Sequence, residues 1–290
     1  MDLCVAGLPL RIDSAQTEYF DTLYGPYERQ DGGEPVMSIR TQMLDEIPCP
    51  EGEVVQSIKS ATILKLADGR HCRYSRNLDG EIFLATYYNS DYSDVVIQMR
   101  HGAIHPQFTS EGWEYSLTGF SFQDRLTELG GGVLHASSIA WRGHGIAFSA
   151  NSGTGKSTHV GLWQQLLGDE VVVVNDDKPA IVFEGEQAML CGTPWSGKHA
   201  INTNVTVPLK AIVFIERGEQ NSIRRLDPLR SYFYLTSQLA RPYYDVNLGE
   251  KLVEFGERLL ANVPIYCLSC NISTEAVETV IKEIFPEEEI

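Results

Sequence analysis

The chain has 290 residues, 43% of them hydrophobic, which is enough for one or two domains with a full buried core. Its formal net charge of −16 repels phosphate backbones and anionic lipid, which excludes nucleic acid and membrane surfaces as general partners. No apolar run approaches the ~20 residues of a membrane span, and the opening Met1-Asp2-Leu3-Cys4 does not begin a signal-like segment, so a cytoplasmic protein is expected.

Residues 1–110 are expected to form a β-rich, antiparallel domain that recognises substrate or serves as a scaffold. Strands are predicted at 4–12, 35–40, 54–58, 61–66, 82–87 and 95–99, with Asp68-Gly69 and Asp79-Gly80 as hairpin turns. The stretch 106–111 reads as a hinge, and 111–290 as a second domain. There a helix at 113–129 is stopped by Gly130-Gly131-Gly132, and strands follow at 133–141 and 145–150. A helix is predicted at 156–167. The run Val171-Val172-Val173-Val174 suits a strand buried on both faces. A hairpin at 180–191 and an apolar strand at 209–216 come next, then helices at 229–240 and 250–262. A final strand and a helix at 274–285 complete an α/β arrangement with some antiparallel pairing. Of the six cysteines only Cys267 and Cys270 are closely spaced, and one such pair is a poor zinc set. Cys267 reads instead as a buried residue of the last strand.

The chemistry lies in Ala150-Asn151-Ser152-Gly153-Thr154-Gly155-Lys156-Ser157-Thr158, between an apolar strand and a helix. Glycines let the backbone approach phosphate closely, and successive N–H groups at a helix N-terminus form a concavity that favours anions. In such a P-loop Asn151 through Thr158 contact the phosphates of ATP, Lys156 reaches the terminal phosphates and Ser157 ligates Mg²⁺. The pattern departs from the full motif at Ala150, where glycine is usual, so φ there must be ordinary. Asn175-Asp176-Asp177, directly after the valine strand, can supply both a metal ligand and a proton acceptor, although it is also a turn sequence. His135 stands in the middle of an apolar strand, either as a core residue or as the partner of a neighbouring carboxylate.

His135, the loop ending Gly155-Lys156-Ser157 and the pair Asp176-Asp177 resemble, in order and spacing, the catalytic core of HPr kinase/phosphorylase. The Ser-Gly-Thr-Gly-Lys-Ser-Thr run is also similar to the nucleotide loop of ATP-dependent phosphoenolpyruvate carboxykinase. The resemblance covers roughly residues 130–185. It implies a mixed-sheet P-loop core of α/β (α+β) type and a homo-oligomer. It also implies that Asp177 is the base, that Asp176 supports it or the metal, and that His135 sits beside the catalytic carboxylate. That family's glutamate-containing signature segment is missing. Gly192-Thr193-Pro194-Trp195-Ser196-Gly197-Lys198 stands in its place, which removes phosphorolysis and HPr itself from what the resemblance implies. Trp195 and Lys198 could cover the nucleotide or clamp a phosphate, or the segment is a surface loop anchored by the tryptophan, and Arg241 or Arg224-Arg225, the latter in what reads as a solvated hairpin, could reach the transferred phosphate. The expected activity is a Mg/ATP-dependent kinase acting on a hydroxyl-bearing peptide, protein or small molecule. The alternatives are a carboxykinase-like lyase and a non-catalytic ATP-binding module.

Overall fold

The computed structural model describes residues 1–30, 32–58, 61–102, 109–197, 200–242 and 244–288. The first half of the expected hinge, residues 106–108, lies outside them. The chain divides into two units, Met1–Leu129 with Pro242–Leu248, and Gly130–Arg241 with Gly249–Ile290. The division therefore falls after Leu129 rather than after residue 110.

The first unit contains β1 (Asp2–Val5), β2 (Leu8–Asp13), α1 (Thr17–Tyr24), β3 (Met37–Leu44), β4 (Glu53–Ile58), β5 (Ala61–Lys65), β6 (His71–Arg76), β7 (Ile82–Tyr88), β8 (Asp94–Arg100) and α2 (Ser110–Glu128). The strands form one sheet in the order β1-β2-β3-β8-β7-β6-β5-β4. The expected antiparallel sheet is in fact mixed, because β3 runs parallel to both β2 and β8. Short, one-face-buried strands alternate with period two in either orientation, so the pattern could not tell them apart. The single strand expected at 4–12 is broken by a two-residue turn, Ala6-Gly7, with both φ values positive. Helix α1 and strand β6 were not expected. The helix buries only Phe20 and Tyr24, and the strand buries only Cys72.

Two polar anchors hold this unit. On α2 the buried Glu114 accepts hydrogen bonds from Ser14 Oγ, Gln16 Nε2 and Thr41 Oγ1, so its desolvated oxygens are paired. The segment Pro242–Leu248 is tied in by Tyr244, whose hydroxyl donates to buried Asp124 beneath the Arg73 guanidinium, and by Asp245, which accepts from Tyr92. Burial raises the Asp124 carboxyl to about 6 against the opposing pull of Arg73.

The second unit contains β9 (Gly132–Val133), β10 (Ala136–Trp141), β11 (His144–Ser149), α3 (Lys156–Leu167), β12 (Val171–Asn175), β13 (Ala180–Glu184), β14 (Gln187–Cys191), β15 (Thr206–Arg217), β16 (Ser222–Arg225), α4 (Pro228–Gln238), α5 (Val246–Asn262) from Gly249 onward, β17 (Ile265–Cys270) and α6 (Thr274–Ile284). The long β15 pairs antiparallel with β14 at its start and parallel with β11 and β17 thereafter. Alternation along the strands sorts the core into two halves. Ile146, Phe148, Ala211, Val213 and Leu268 pack with Trp163 of α3 and with Val277, Val280 and Ile281 of α6. Ala147, Ile212, Phe214, Ile265 and Cys267 pack with Leu235 of α4 and with Leu252, Phe255 and Leu259 of α5. Helices thus cover both faces, which is what parallel strands require. Among the described residues no helix is long and apolar enough to cross a membrane.

Three expectations need correction here. The valine strand β12 lies at the sheet edge, and Val172 is 39% exposed rather than buried. The stretch 133–141 is two strands, since β9 pairs with β13 whereas β10 pairs with β11 and β12. His135 therefore sits in the break between them and not within a strand. Arg224 and Arg225 lie on β16, which pairs with β17 in place of forming a separate hairpin.

Candidate functional site

The parallel strands β11, β15 and β17 end on one edge of the sheet, the usual position of ligand sites in open α/β sheets. There the chain leaves β11 through residues 150–155 and enters α3. Gly153 and Gly155 have φ of 77° and 125°, values that favour glycine, whereas Ala150 keeps an ordinary φ as expected. Arg217, at the end of β15, donates from Nη2 to Gly153 O at 2.8 Å and from Nε to Thr154 O at 3.3 Å, fixing those two peptide planes. No acidic residue and no capping side chain occupies the first turn of α3, so its free N–H groups and partial positive charge face the loop. The buried Lys156 folds back so that Nζ donates to Ala150 O at 3.2 Å. Burial lowers its pKa, opposed by the charges of Asp177 and Asp176.

Across from the loop, Ser157 Oγ donates to Asp176 Oδ2 at 3.0 Å. Ser137 Oγ lies 3.5 Å from Ser157 Oγ and donates to Asp176 O at 2.9 Å. His135 Nε2 stands 3.4 Å from Asp177 Oδ1, while its Nδ1 is 2.9 Å from Gln238 Oε1. The backbone repeats that pairing, with His135 N donating to Gln238 O and Ala136 N to Asp177 O. Burial acts to raise the Asp177 carboxyl. The His135 hydrogen bond and the charges of Lys178, His135 and Lys156 outweigh it, so the carboxyl is held below its ordinary value.

The turn carrying both aspartates is built by Asn175, a fully buried residue at the end of β12. Its Oδ1 accepts from Asp177 N at 2.9 Å and from Lys178 N at 2.6 Å. Its Nδ2 donates to Thr193 O, Thr193 Oγ1 and Trp195 O. The Gly-Thr-Pro-Trp-Ser-Gly stretch is thus not a surface loop. Residues 192–196 are buried, Trp195 is 3% exposed, and the segment braces the aspartate turn. A Cβ on Gly197 would meet Asp177 Cβ at 3.0 Å, which explains glycine at that point. Asn175→Ala removes these bonds and strands buried partners, so thermal unfolding is expected to show a loss of about 2–4 kcal/mol.

The structure thus brings His135, Lys156, Ser157, Asp176 and Asp177 together. Asn151 touches the same group through Gln238 Nε2, at 3.5 Å, and Thr158 lies exposed on the first turn of α3. Ser152 is exposed on the loop. Arg241 is not part of the constellation, because its guanidinium donates to the Thr236 carbonyl of the preceding helix. Arg224 and Arg225 face solvent on β16. Lys198 lies outside the described residues. Four residues escaped the sequence reading, namely Ser137, Asn175 as a brace, Arg217 and Gln238. Arg217 closing an apolar strand at the same edge as the glycine loop was the one signal available.

A cleft of about 510 Å³ adjoins the loop. Gly153, Thr154, Gly155 and the α3 residues Thr158, His159 and Leu162 form one wall, and the ends of β15 and β17 form the other. None of Lys156, Ser157, Asp176 or Asp177 lines it.

No curated protein matches the chain. Among solved structures, the HPr(Ser) kinase/phosphatase from Coxiella burnetii is similar at 15% identity, over 52% of this chain and 94% of that one, with a TM-score of 0.31. The family described as SynChlorMet cassette protein ScmC matches residues 120–285, more than half of the chain, and the chain belongs to that family.

Proposed function

We propose that this protein is a Mg/ATP-dependent phosphotransferase that delivers the terminal phosphate to a hydroxyl group. The observation that carries the reading is the convergence of the glycine loop and α3 N-terminus with Ser157 on Asp176, beside an Asp177–His135 pair. A divalent ion fits this donor set. Ser157 and Asp176 offer hard oxygens from two elements, and no cluster of three or more His, Cys, Asp or Glu side chains forms a cage among the described residues. That suits Mg²⁺, which keeps waters and substrate phosphates as its other ligands. When bound it would neutralise charge on the phosphate oxygens.

The protein's own groups then divide the work. The loop amides and Lys156 hold and orient the phosphates, with Lys156 exchanging the Ala150 carbonyl for a phosphate oxygen. Asp177, already ionised, accepts the proton of the attacking hydroxyl, and His135 orients that carboxylate from the opposite side, itself steadied by Gln238. Positioning and charge stabilisation of this kind supply most of the rate in phosphoryl transfer.

The test is ³¹P NMR of the protein with Mg·ATP, alone and then with free serine, a pool of serine-containing peptides, or oxaloacetate. A new phosphoester resonance appearing with ADP is the expected result. Carbon dioxide release with oxaloacetate would replace the kinase reading with a lyase, and ATP unchanged with every acceptor would reduce the site to a binding module.

A further inference from the structure

We propose that Gln238 is a positioning residue for the transfer: it holds a proton on Nδ1 of His135 and thereby leaves Nε2 as the ring nitrogen that faces Asp177. The inference rests on the phosphotransferase reading above, in which Asp177 takes the proton of the attacking hydroxyl.

The grip begins in the backbone. Helix α4 stops at Gln238, and Leu239 takes extended φ and ψ of −66° and 133°. The chain can then pair with the break between β9 and β10. His135 N donates to Gln238 O and Ala240 N to Val133 O, both at 3.0 Å, around the antiparallel bridge of Leu134 and Leu239. Both leucines are buried in one core with Leu235 of α4 and Phe255 of α5. A slip of one residue would turn Leu239 out of that core, so burial fixes the register. That register sets residue 238 directly opposite residue 135, where cross-strand side chains meet on one face.

The side chains complete it. Gln238 Oε1 lies 2.9 Å from His135 Nδ1. The Gln238 amide nitrogen lies 3.5 Å from Asn151 Oδ1 and 3.3 Å from Ser237 Oγ, which turns the oxygen toward the ring. An amide oxygen only accepts, so Nδ1 must donate. The partner of one imidazole nitrogen decides what the other can do, and here the other, Nε2, stands 3.4 Å from Asp177 Oδ1. Without an acceptor at position 238 the ring would turn about its broad χ2 and exchange its proton between the two nitrogens. Asp177 would lose its fixed neighbour. Lys156 and the loop amides, which Gln238 meets only through the Asn151 side chain, would keep their hold on the phosphates.

Measurements on the full chain test this with two variants, Gln238→Met, which keeps the length but not the acceptor, and Gln238→Glu, which keeps the acceptor. The first is ¹⁵N NMR of protein labelled in its histidine rings, with His135 assigned by its loss in His135→Gln. It is expected to show Nδ1 protonated in the parent chain and in Gln238→Glu, and exchange between the two nitrogens in Gln238→Met. Calorimetry is expected to give Mg·ATP dissociation constants within ~3-fold of the parent for both variants, since an interaction that serves the transition state leaves ground-state binding alone. Single-turnover ADP formation with a pool of serine-containing peptides is expected to slow by ~10–100-fold in Gln238→Met, the usual cost of losing a group that orients a histidine ring. Gln238→Glu should lose distinctly less. A parent ring with its proton on Nε2 alone would overturn the proposal, and so would a Gln238→Met variant that turned over at the parent rate. Matching losses of Mg·ATP affinity, rate and thermal stability in both variants would reduce Gln238 to a structural part of the fold. If the parent forms no ADP with any acceptor while the ring signals are as expected, the phosphotransferase reading fails and the role in transfer falls with it, and the hold on His135 stands alone.

Discussion

Lys156→Ala is expected to abolish detectable phosphate transfer and to weaken Mg·ATP binding by about 10²-fold, the loss of a charge-assisted contact to phosphate in a partly desolvated site. The side chain is buried against the loop, its ammonium sits on the Ala150 carbonyl, and burial already disfavours its charge. A phosphate oxygen is a far better partner than that carbonyl, so nucleotide binding relieves a cost that the free protein carries. The alanine variant should remain folded and gain stability from losing a buried charge, which thermal unfolding in the absence of nucleotide would check. A variant that bound Mg·ATP as tightly as the parent chain would mean that the lysine serves the loop structurally and never meets the phosphates.

Asp177→Asn is expected to separate binding from chemistry. The backbone of residue 177 donates to Asn175 and accepts from Ala136, and asparagine preserves both bonds. Its amide oxygen can also still accept from His135, so the turn and the Mg·ATP affinity should survive. What disappears is the basicity. Loss of a general base typically costs 10²–10⁴-fold, and single-turnover transfer should slow by about that range. Near-normal turnover would move the base to Asp176 or dispense with one altogether. Asp176→Asn should behave differently, because Ser157 is tied to that carboxylate, and it should weaken the dependence on Mg²⁺ as well as the rate.

Much of the second unit was legible in the sequence because its signals are long and redundant. The helix at 156–167 is observed with those bounds, and the hairpin at 180–191 and the strand through 209–216 lie where apolar periodicity and turn residues put them. The grouping of His135 with the loop and the aspartates was expected from the family resemblance that their order and spacing carry. What could not be read depends on pairing between distant segments. Gln238 reaches His135 across 103 positions and carries no local pattern. Asn175 looked like a turn residue because the turn it makes is real. That it also grips Thr193 and Trp195 follows only once β12 and the 192–197 segment pack together. The break at Leu134 and His135 is hidden for a related reason. Apolar residues continue on both sides of it and Leu134 is fully buried, while the backbone N–H groups of Leu134 and His135 leave the ladder for Pro179 and Gln238. In the first unit, one-face-buried strands gave positions but not the direction of β3 relative to its neighbours.

The most direct measurement is calorimetric titration of Mg·ATP into the unmodified chain, repeated with Lys156→Ala. The expected result is one site per chain with a micromolar dissociation constant, about −8 kcal/mol, dependent on Mg²⁺ and lost by about 10²-fold in the variant. No heat and no thermal protection at millimolar Mg·ATP would contradict a triphosphate site at residues 150–158, and the roles assigned to Ser157, Asp176 and Asp177 would fall with it.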